Sequence, residues 1–377
     1  MLKLLHIADI HLDSRFSGLS LSASAERREA LRGVFSSALA LARNEKCAVV
    51  LIAGDLFDSE FYTLDTLDFL RRSFDSLPEI TFIIAPGNHD PYNSTSPYRF
   101  ADFPDNVKIF KNEELSSVTI PELDLTVYGY AFTSAAYRRN PIDGFFVPED
   151  SGFSVLIAHT ELDDPFSPYA PIPSRSLGAA GFDYSALGHI HAPTDPSAGY
   201  AYSGCIAGRD HGEEGEKGAV LVTLDRSDGK KSVNAKRVRL CPWIYKTVTV
   251  PLDRAVNEEE ALEVISDALT PYIPTDGAEY LIKLILTGQV GYELETDALK
   301  RKLSHFGVDV IRNETVFTYS SLHLDDDFSI RGELYRVLKP QLLSDDPAVR
   351  DRAVRALKIG LSALAGCDID TFGEGRS

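Results

Sequence analysis

The chain has 377 residues, 44% hydrophobic and 25% charged, a composition that excludes a disordered protein and fits one large domain with a smaller second one. Its net charge of −18 argues against a broad basic face for nucleic acid, and most of that charge lies in residues 1–226, because residues 227–377 carry 20 Lys/Arg against 24 Asp/Glu. No apolar run reaches membrane-spanning length, Asp9 comes too early for a secretory signal, and Cys47, Cys205, Cys241 and Cys367 form no CxxC pair, so a cytoplasmic protein with reduced thiols is expected.

In chain order, the first half alternates short β-branched runs with helical stretches. Strands are expected at 2–9, 47–55, 80–90, 125–132, 153–160 and 184–191, each ending in a polar cluster. Residues 24–45 read as an amphipathic helix with Leu31, Val34, Phe35, Ala38 and Leu41 on one face. A second helical stripe runs through Leu64, Leu67, Leu70, Phe74 and Leu77, with Pro78 as a stop. The strands YAYSGC, GAVLVTL and SVNAKRVRL follow with few helices. Early βα units and later β-rich sequence predict two sheets face to face with helices outside.

From about Ile244 the pattern changes to a compact α+β unit: strand 245–252, helix 257–270, strand 279–288, helix 295–304 and strand 308–313. Residues 329–365 read as helical with a break near Pro347, carrying stripes of Leu334, Val337, Leu338 and Leu342, then Val354, Leu357 and Leu361. Those stripes are expected to pack on the neighbouring domain rather than to dock a partner helix. The basic runs KRVRL (236–240) and LKRKL (299–303) are read as solvated faces. The predicted domains are therefore 1–240, 244–322 and 329–377.

The chemistry sits at the strand ends. Asp9 and His11 lie in ADIH, Asp55 and Asp58 in GDLFD, and Asn88, His89 and Asp90 in GNHD. His159 closes LIAHT, and His189 and His191 close LGHIH. Strand ends along one sheet edge converge, so these residues can share a cleft. Imidazole, carboxylate and amide oxygen suit Mn2+, Fe2+ or Zn2+ better than Ca2+ or Mg2+. Glycines before Asp55, Asn88 and His189 fit tight turns that no side chain obstructs. A lone strand-end histidine is usually structural, and His6, His211, His305 and His323 belong to that class by default. Five such elements in order predict two divalent metal ions.

The motifs ADIHLD, AGDLFD, PGNHD, AHT and LGHIHAP closely resemble the calcineurin-like metallophosphoesterase superfamily, in that order. Within it, HIADIHLDS, GDLFDSE and YAYSGCIAGRDHGEEGEKGAVLVTL look most like SbcD-type DNA repair exonucleases, in particular their YhaO-like branch. The resemblance covers roughly residues 3–225. It implies an α/β fold, a four-layer αββα sandwich with a smaller α+β capping domain that guides DNA and C-terminal helices. By the same resemblance Asp9, His11 and His191 would hold one metal, Asn88, His159 and His189 the other, and Asp55 would bridge them. His89 would assist the leaving oxygen. Asp58 stands where some relatives carry histidine, and is read as a carboxylate behind the ligands or a turn cap. Arg209 and His211 would either face the scissile phosphate or lie behind the ligands.

The implied reaction is phosphodiester hydrolysis, in which two metals acidify a water that attacks phosphorus in line. The resemblance implies a Mn2+-dependent exonuclease and endonuclease in DNA repair, partnered by an SMC-like coiled-coil ATPase. It also implies a possible homodimer through residues 24–45 and 64–77. The rival enzyme is a phosphatase or phosphodiesterase on a small nucleotide, which the same metal centre would serve. A non-catalytic scaffold would need a missing ligand, and no ligand of the pattern is missing.

Overall fold

The computed structural model of the chain describes residues 1–16, 20–58, 62–149, 151–273, 277–292, 294–318 and 324–364. His323 and Cys367 lie outside the described residues. Two compact units are present, Met1–Lys246 with Pro274–Leu281, and Thr247–Ile273 with Ile282–Ser377.

The first unit opens with β1 (Leu2–Ile7), α1 (Leu21–Asn44), β2 (Val49–Ile52), α2 (Leu64–Asp75), β3 (Thr81–Ile84), α3 (Pro97–Phe100) and β4 (Val107–Ile109). It continues through β5 (Ser116–Ile120), β6 (Leu125–Gly129), β7 (Phe153–His159), α4 (Ser174–Ala179), β8 (Tyr184–Gly188), β9 (Tyr200–Tyr202), β10 (Gly218–Ser227) and β11 (Lys230–Arg239). One six-stranded sheet has the order β11-β10-β1-β2-β3-β4, and a five-stranded sheet runs β5-β6-β7-β8-β9. Pairing from β1 to β4 and from β6 to β9 is parallel. Parallel strands covered on both faces read as continuous apolar runs, which is the character of VVLI and FSVLIAH.

The two faces of each strand enter different cores, as a period of two requires. Leu5, Ile7, Val50, Ile52, Phe82 and Ile84 pack with Leu31, Phe35 and Ala38 of α1 and Leu70 and Phe74 of α2. Leu4, Val49, Leu51 and Ile83 point the other way and meet Val127, Val155, Ile157 and Ala186 of the second sheet. The far face of that sheet is covered by α4 and its loops, through Leu177, Ile142 and Ile172. Four layers result. α1 and α2 are capped by Ser20 and Thr63, whose hydroxyls accept from the Ala23 and Thr66 amides.

Several local expectations change. β1, β2 and β8 stop two or three residues early, because Asp9, His11, Asp55 and His189 adopt positive φ and leave the ladder. Leu64 begins α2 but is 81% exposed, so the buried stripe starts at Leu67. The short elements β4, β5, α3 and α4 carry no strong periodicity and are held by tertiary pairing.

The second unit contains most of β12 (Trp243–Pro251), α5 (Glu258–Leu269) and β13 (Glu279–Thr287), then β14 (Gln289–Val290), α6 (Thr296–Lys302), β15 (Val308–Asn313) and β16 (Val316–Phe317). A three-stranded sheet has the order β12-β13-β15, and α5 buries Ala261, Ile265 and Leu269. α7 (Ile330–Leu342) and α8 (Pro347–Leu364) follow. The expected break near Pro347 falls at 343–346, and Pro347 opens α8, as its missing N–H allows. The two helices face each other, with Leu334 against Gly360, while Val337 of the expected stripe is 61% exposed. Among the described residues, no helix is long and apolar enough to cross a membrane.

Phe35 and Phe74 are fully buried and meet edge-to-face at 6.4 Å. Truncating either to alanine is expected to cost about 3–5 kcal/mol, measured as a lower urea midpoint with unchanged slope.

Candidate metal centre

The cleft is assembled from loops that leave the strands but stay tied to one another by backbone hydrogen bonds. The His11 amide donates to Asp55 O at 2.9 Å and the Asp9 amide to Gly54 O at 3.1 Å, so the loops after β1 and β2 remain in register. The His189 amide, after β8, donates to both Asp9 carboxylate oxygens at 3.1 Å. This close approach leaves no room for side chains at two glycines. A Cβ on Gly87 would lie 2.2 Å from Asp55 Oδ1, and one on Gly188 would lie 1.9 Å from Ala53 O.

Two clusters of metal-ligating atoms share one residue. Asp9, His11 and His191 bring their ligand atoms within 4.8 Å of one another, and so do Asp9, Asp55 and His159. Asp55 Oδ2 stands between the clusters, 3.4 Å from His159 Nε2 and 3.8 Å from His11 Nε2. Asn88 Oδ1 is 2.8 Å from His159 Nε2. His189 packs against His159 and Tyr169, with ring centroids at 5.2 and 4.4 Å, and is not a member of either cluster. His11, Asp58 and His89 form a further group, as do His191, Cys205 and Glu213.

The hydrogen bonds behind the imidazoles fix which nitrogen faces inward. His159 Nδ1–H donates to Ala53 O at 3.0 Å, and His191 Nδ1–H donates to Glu213 Oε1 at 2.8 Å. His11 Nδ1 lies 3.1 Å from Asp58 Oδ1. With a cation bound, each Nε2 would turn a lone pair into the cleft, where those of His11 and His191 stand 3.1 Å apart. Two facing lone pairs repel unless a cation lies between them. Two nitrogen ligands at ~2.1 Å from one ion and at right angles would be ~3.0 Å apart. Asn88 Oδ1 accepts from His159 Nε2 at 2.8 Å, and a divalent cation would take the place of that proton. The donor set therefore fits divalent cations.

The electrostatics agree. Burial alone would lower His159, but Asp55 and Asp9 outweigh it and push this imidazole up to about 9. Burial would raise Asp55, yet His159 and His11 hold its carboxyl well below the usual range. Asp9, in contrast, is raised by burial despite the surrounding histidines. His189 is pushed down to about 3 by burial and by neighbouring His159. His6, by contrast, is spent on structure: Nε2–H donates to Leu187 O, Tyr184 O–H donates to Nδ1, and burial pushes the ring down to about 3.

Of the flanking residues, Asp58 touches His11, and Arg209 is committed to carboxylates. The Arg209 guanidinium donates to Glu213 Oε1 from Nε at 3.0 Å and to Asp58 Oδ1 from Nη1 at 3.0 Å. His211 packs edge-on against Tyr245 at 4.9 Å instead of joining the clusters. Two residues that sequence reasoning did not assign also shape the cleft. Glu213 orients His191 and anchors Arg209; its only sequence signal is its place in the GRDHGEEGEKG loop. Asp90 accepts from the Leu56, Phe57 and Gly87 amides and from Tyr98 Oη, fastening the loop after β2 to the loop after β3.

Comparison with known proteins bears on this arrangement. The family model described as calcineurin-like phosphoesterase matches residues 2–193. The uncharacterized metallophosphoesterase YhaO of Bacillus subtilis (strain 168) is 28% identical over 300 residues, 76% of this chain and 72% of YhaO. The DNA double-strand break repair protein Mre11 of Aeropyrum pernix is 30% identical over 227 residues, 55% of this chain and 54% of its own length. Mre11 of Saccharolobus solfataricus is 28% identical over 204 residues, covering 51% and 50%. The match to the Mre11 proteins thus spans about half their length.

Asp55→Asn is expected to abolish tight divalent-cation binding, whereas Glu213→Gln should weaken it by ~10–100-fold through loss of the orienting bond to His191. Calorimetric titration with Mn2+ and with Zn2+ measures both.

Proposed function

Because the chain belongs to the calcineurin-like phosphoesterase family, we propose that its cleft is a dinuclear-metal phosphodiesterase centre acting on DNA, as a Mn2+-dependent exonuclease and endonuclease in repair. The observation that carries the phosphoesterase part is the pair of Asp/His clusters sharing Asp9, with Asp55 between them. The DNA part is supported by relatives named as double-strand break repair proteins, each matched over about half of this chain.

In this reading Asp9, His11 and His191 would hold one ion, Asn88, His159 and His189 the other, and Asp55 both; bound there, the ions would supply an acidified water and neutralise charge on the phosphoryl oxygens. The chain's own groups do the rest. Asp55 Oδ1 accepts from the His89 amide at 2.9 Å, which fixes the backbone of that residue beside the ligands. His89 Nδ1–H donates to Asp58 O at 2.7 Å, so Nε2 of this exposed ring is the nitrogen left to carry a transferable proton. It hands that proton to the departing oxygen, a step typical of histidine near neutral pH. Arg209, Asp58 and Glu213 act behind the ligands as positioning residues, because their charges are satisfied by one another.

The same reading pairs the chain with an SMC-like coiled-coil ATPase and with a second copy of itself. Exposed apolar side chains at Ile330, Val337 and Leu343 in and beside α7 supply a surface for such a partner. A small nucleotide diester is the rival substrate, favoured by the net charge of −18.

His89→Ala should retain both metals and lose ~10²–10⁴ in turnover. End-labelled duplex DNA, circular single-stranded DNA and bis-p-nitrophenyl phosphate, each with Mn2+, form the assay set. Cleavage of DNA and diester by the wild type supports the nuclease; cleavage of the diester alone assigns a small substrate.

A further inference from the structure

The segment following His89 builds a second pocket that metal chemistry does not use. Its cavity of about 380 Å3 lies between the outermost strands of the two sheets, with Val107, Lys108 and Ile109 of β4 on one side and Val118 of β5 on the other. Tyr92 and Phe103 add aromatic wall. The Arg99 guanidinium stands 5.9 Å from the Tyr92 ring centroid and the Lys111 ammonium 6.0 Å from it, both within cation–π range. Lys108 and Lys111 line the cavity, and Asp102 is the one acid in its lining.

Among the described residues, none of Arg99, Lys108 and Lys111 enters an ion pair. This contrasts with Arg209, Arg226 and Lys231, which are all bound to carboxylates. Arg99 and Lys111 stand beside the Tyr92 ring and Lys108 lines the same cavity, so three cations without an ion-pair partner gather at one place. They call for an anion, and the half-apolar cavity beside them calls for a flat ring.

The pocket is also joined to the metal loops. Tyr98 of α3 lines it and donates its hydroxyl to Asp90 Oδ2 at 2.6 Å; the same oxygen accepts from the Leu56 and Phe57 amides. Tyr92 is three residues from His89, and its amide is fixed to Phe132 O at 2.7 Å. Three residues span at most ~11 Å, and a stacked strand advances ~3.4 Å per nucleotide. A strand engaged at the metals therefore reaches the pocket within a few nucleotides.

We infer that this pocket holds one nucleotide of a single-stranded nucleic acid beside the metal cleft, its base against Phe103 and Val118 and its phosphates on Arg99, Lys108 and Lys111. The inference rests on the nucleic-acid reading above and narrows it. A duplex keeps its base faces stacked, so only an unpaired strand can place a base in such a cavity while cations track its backbone.

The test is fluorescence anisotropy of a labelled oligo(dT) on the Mn2+-loaded full chain carrying His89→Ala, so that the probe survives. Arg99→Glu and Lys111→Glu should each weaken binding about tenfold or more and make the salt dependence shallower by ~1 in slope. Lys230→Glu, with the same charge change at the start of β11, should bind like the parent. If the wild type cuts single-stranded DNA but Arg99→Glu and Lys111→Glu bind as the parent does, the pocket assignment is overturned and the nuclease reading stands. If no form binds or cuts DNA while the small diester is hydrolysed, both fall together. If dTMP displaces the probe at the concentrations at which unlabelled oligo(dT) does, the pocket is a free-nucleotide site and the strand assignment is overturned.

Discussion

Two carboxylates, Asp9 and Asp55, lie about 1% exposed in one cleft, and the rest of the structure is arranged around that constraint. Buried like charges are tolerated only with compensating positive charge. Here the imidazoles of His11, His159 and His191 surround them, and Asp55 and Asp9 push the His159 ring up to about 9, so the buried carboxylates draw positive charge into the cleft. Divalent cations bound there would supply that charge. Positive φ at Asp9, His11, Asp55 and His189 is the backbone cost of bringing these groups together.

That strain is sustained by bracing outside the ligand set. Asp90 ties the loops after β2 and β3 through four hydrogen bonds, and burial together with Asp55 raises its carboxyl to about 6. On the other side, Glu213, Arg209 and Asp58 form a charge chain that ends on His191 and His11. The same bracing extends through Tyr98 to the cationic pocket. Tyr98 thus belongs both to the bracing at Asp90 and to the wall of that pocket.

Much of this was legible in the sequence where the signal is local. β1, β2, β7 and β8 were visible as apolar runs, and the helices α1 and α2 as stripes through Phe35 and Phe74. Their ends were not, because Asp9 and Asp55 leave the ladder through backbone conformations that composition does not encode. Leu64 read as part of a buried face and proved exposed at the first residue of α2. For Arg209 the sequence left open a phosphate contact or a place behind the ligands; its guanidinium donates to Glu213 and to Asp58, the latter 151 residues away.

The sequence by itself determined the order of the strand-end motifs, the residue types gathered there and the alternation that stacks two sheets. These follow from side-chain period and donor chemistry, which neighbouring residues carry. Only the tertiary structure decided which imidazole nitrogen faces the cleft, that Glu213 stands behind His191, and that Asp90 reaches back to Leu56 and Phe57. Those choices depend on atoms meeting across loops distant in sequence, and a hydrogen bond is set by that final distance rather than by either residue alone.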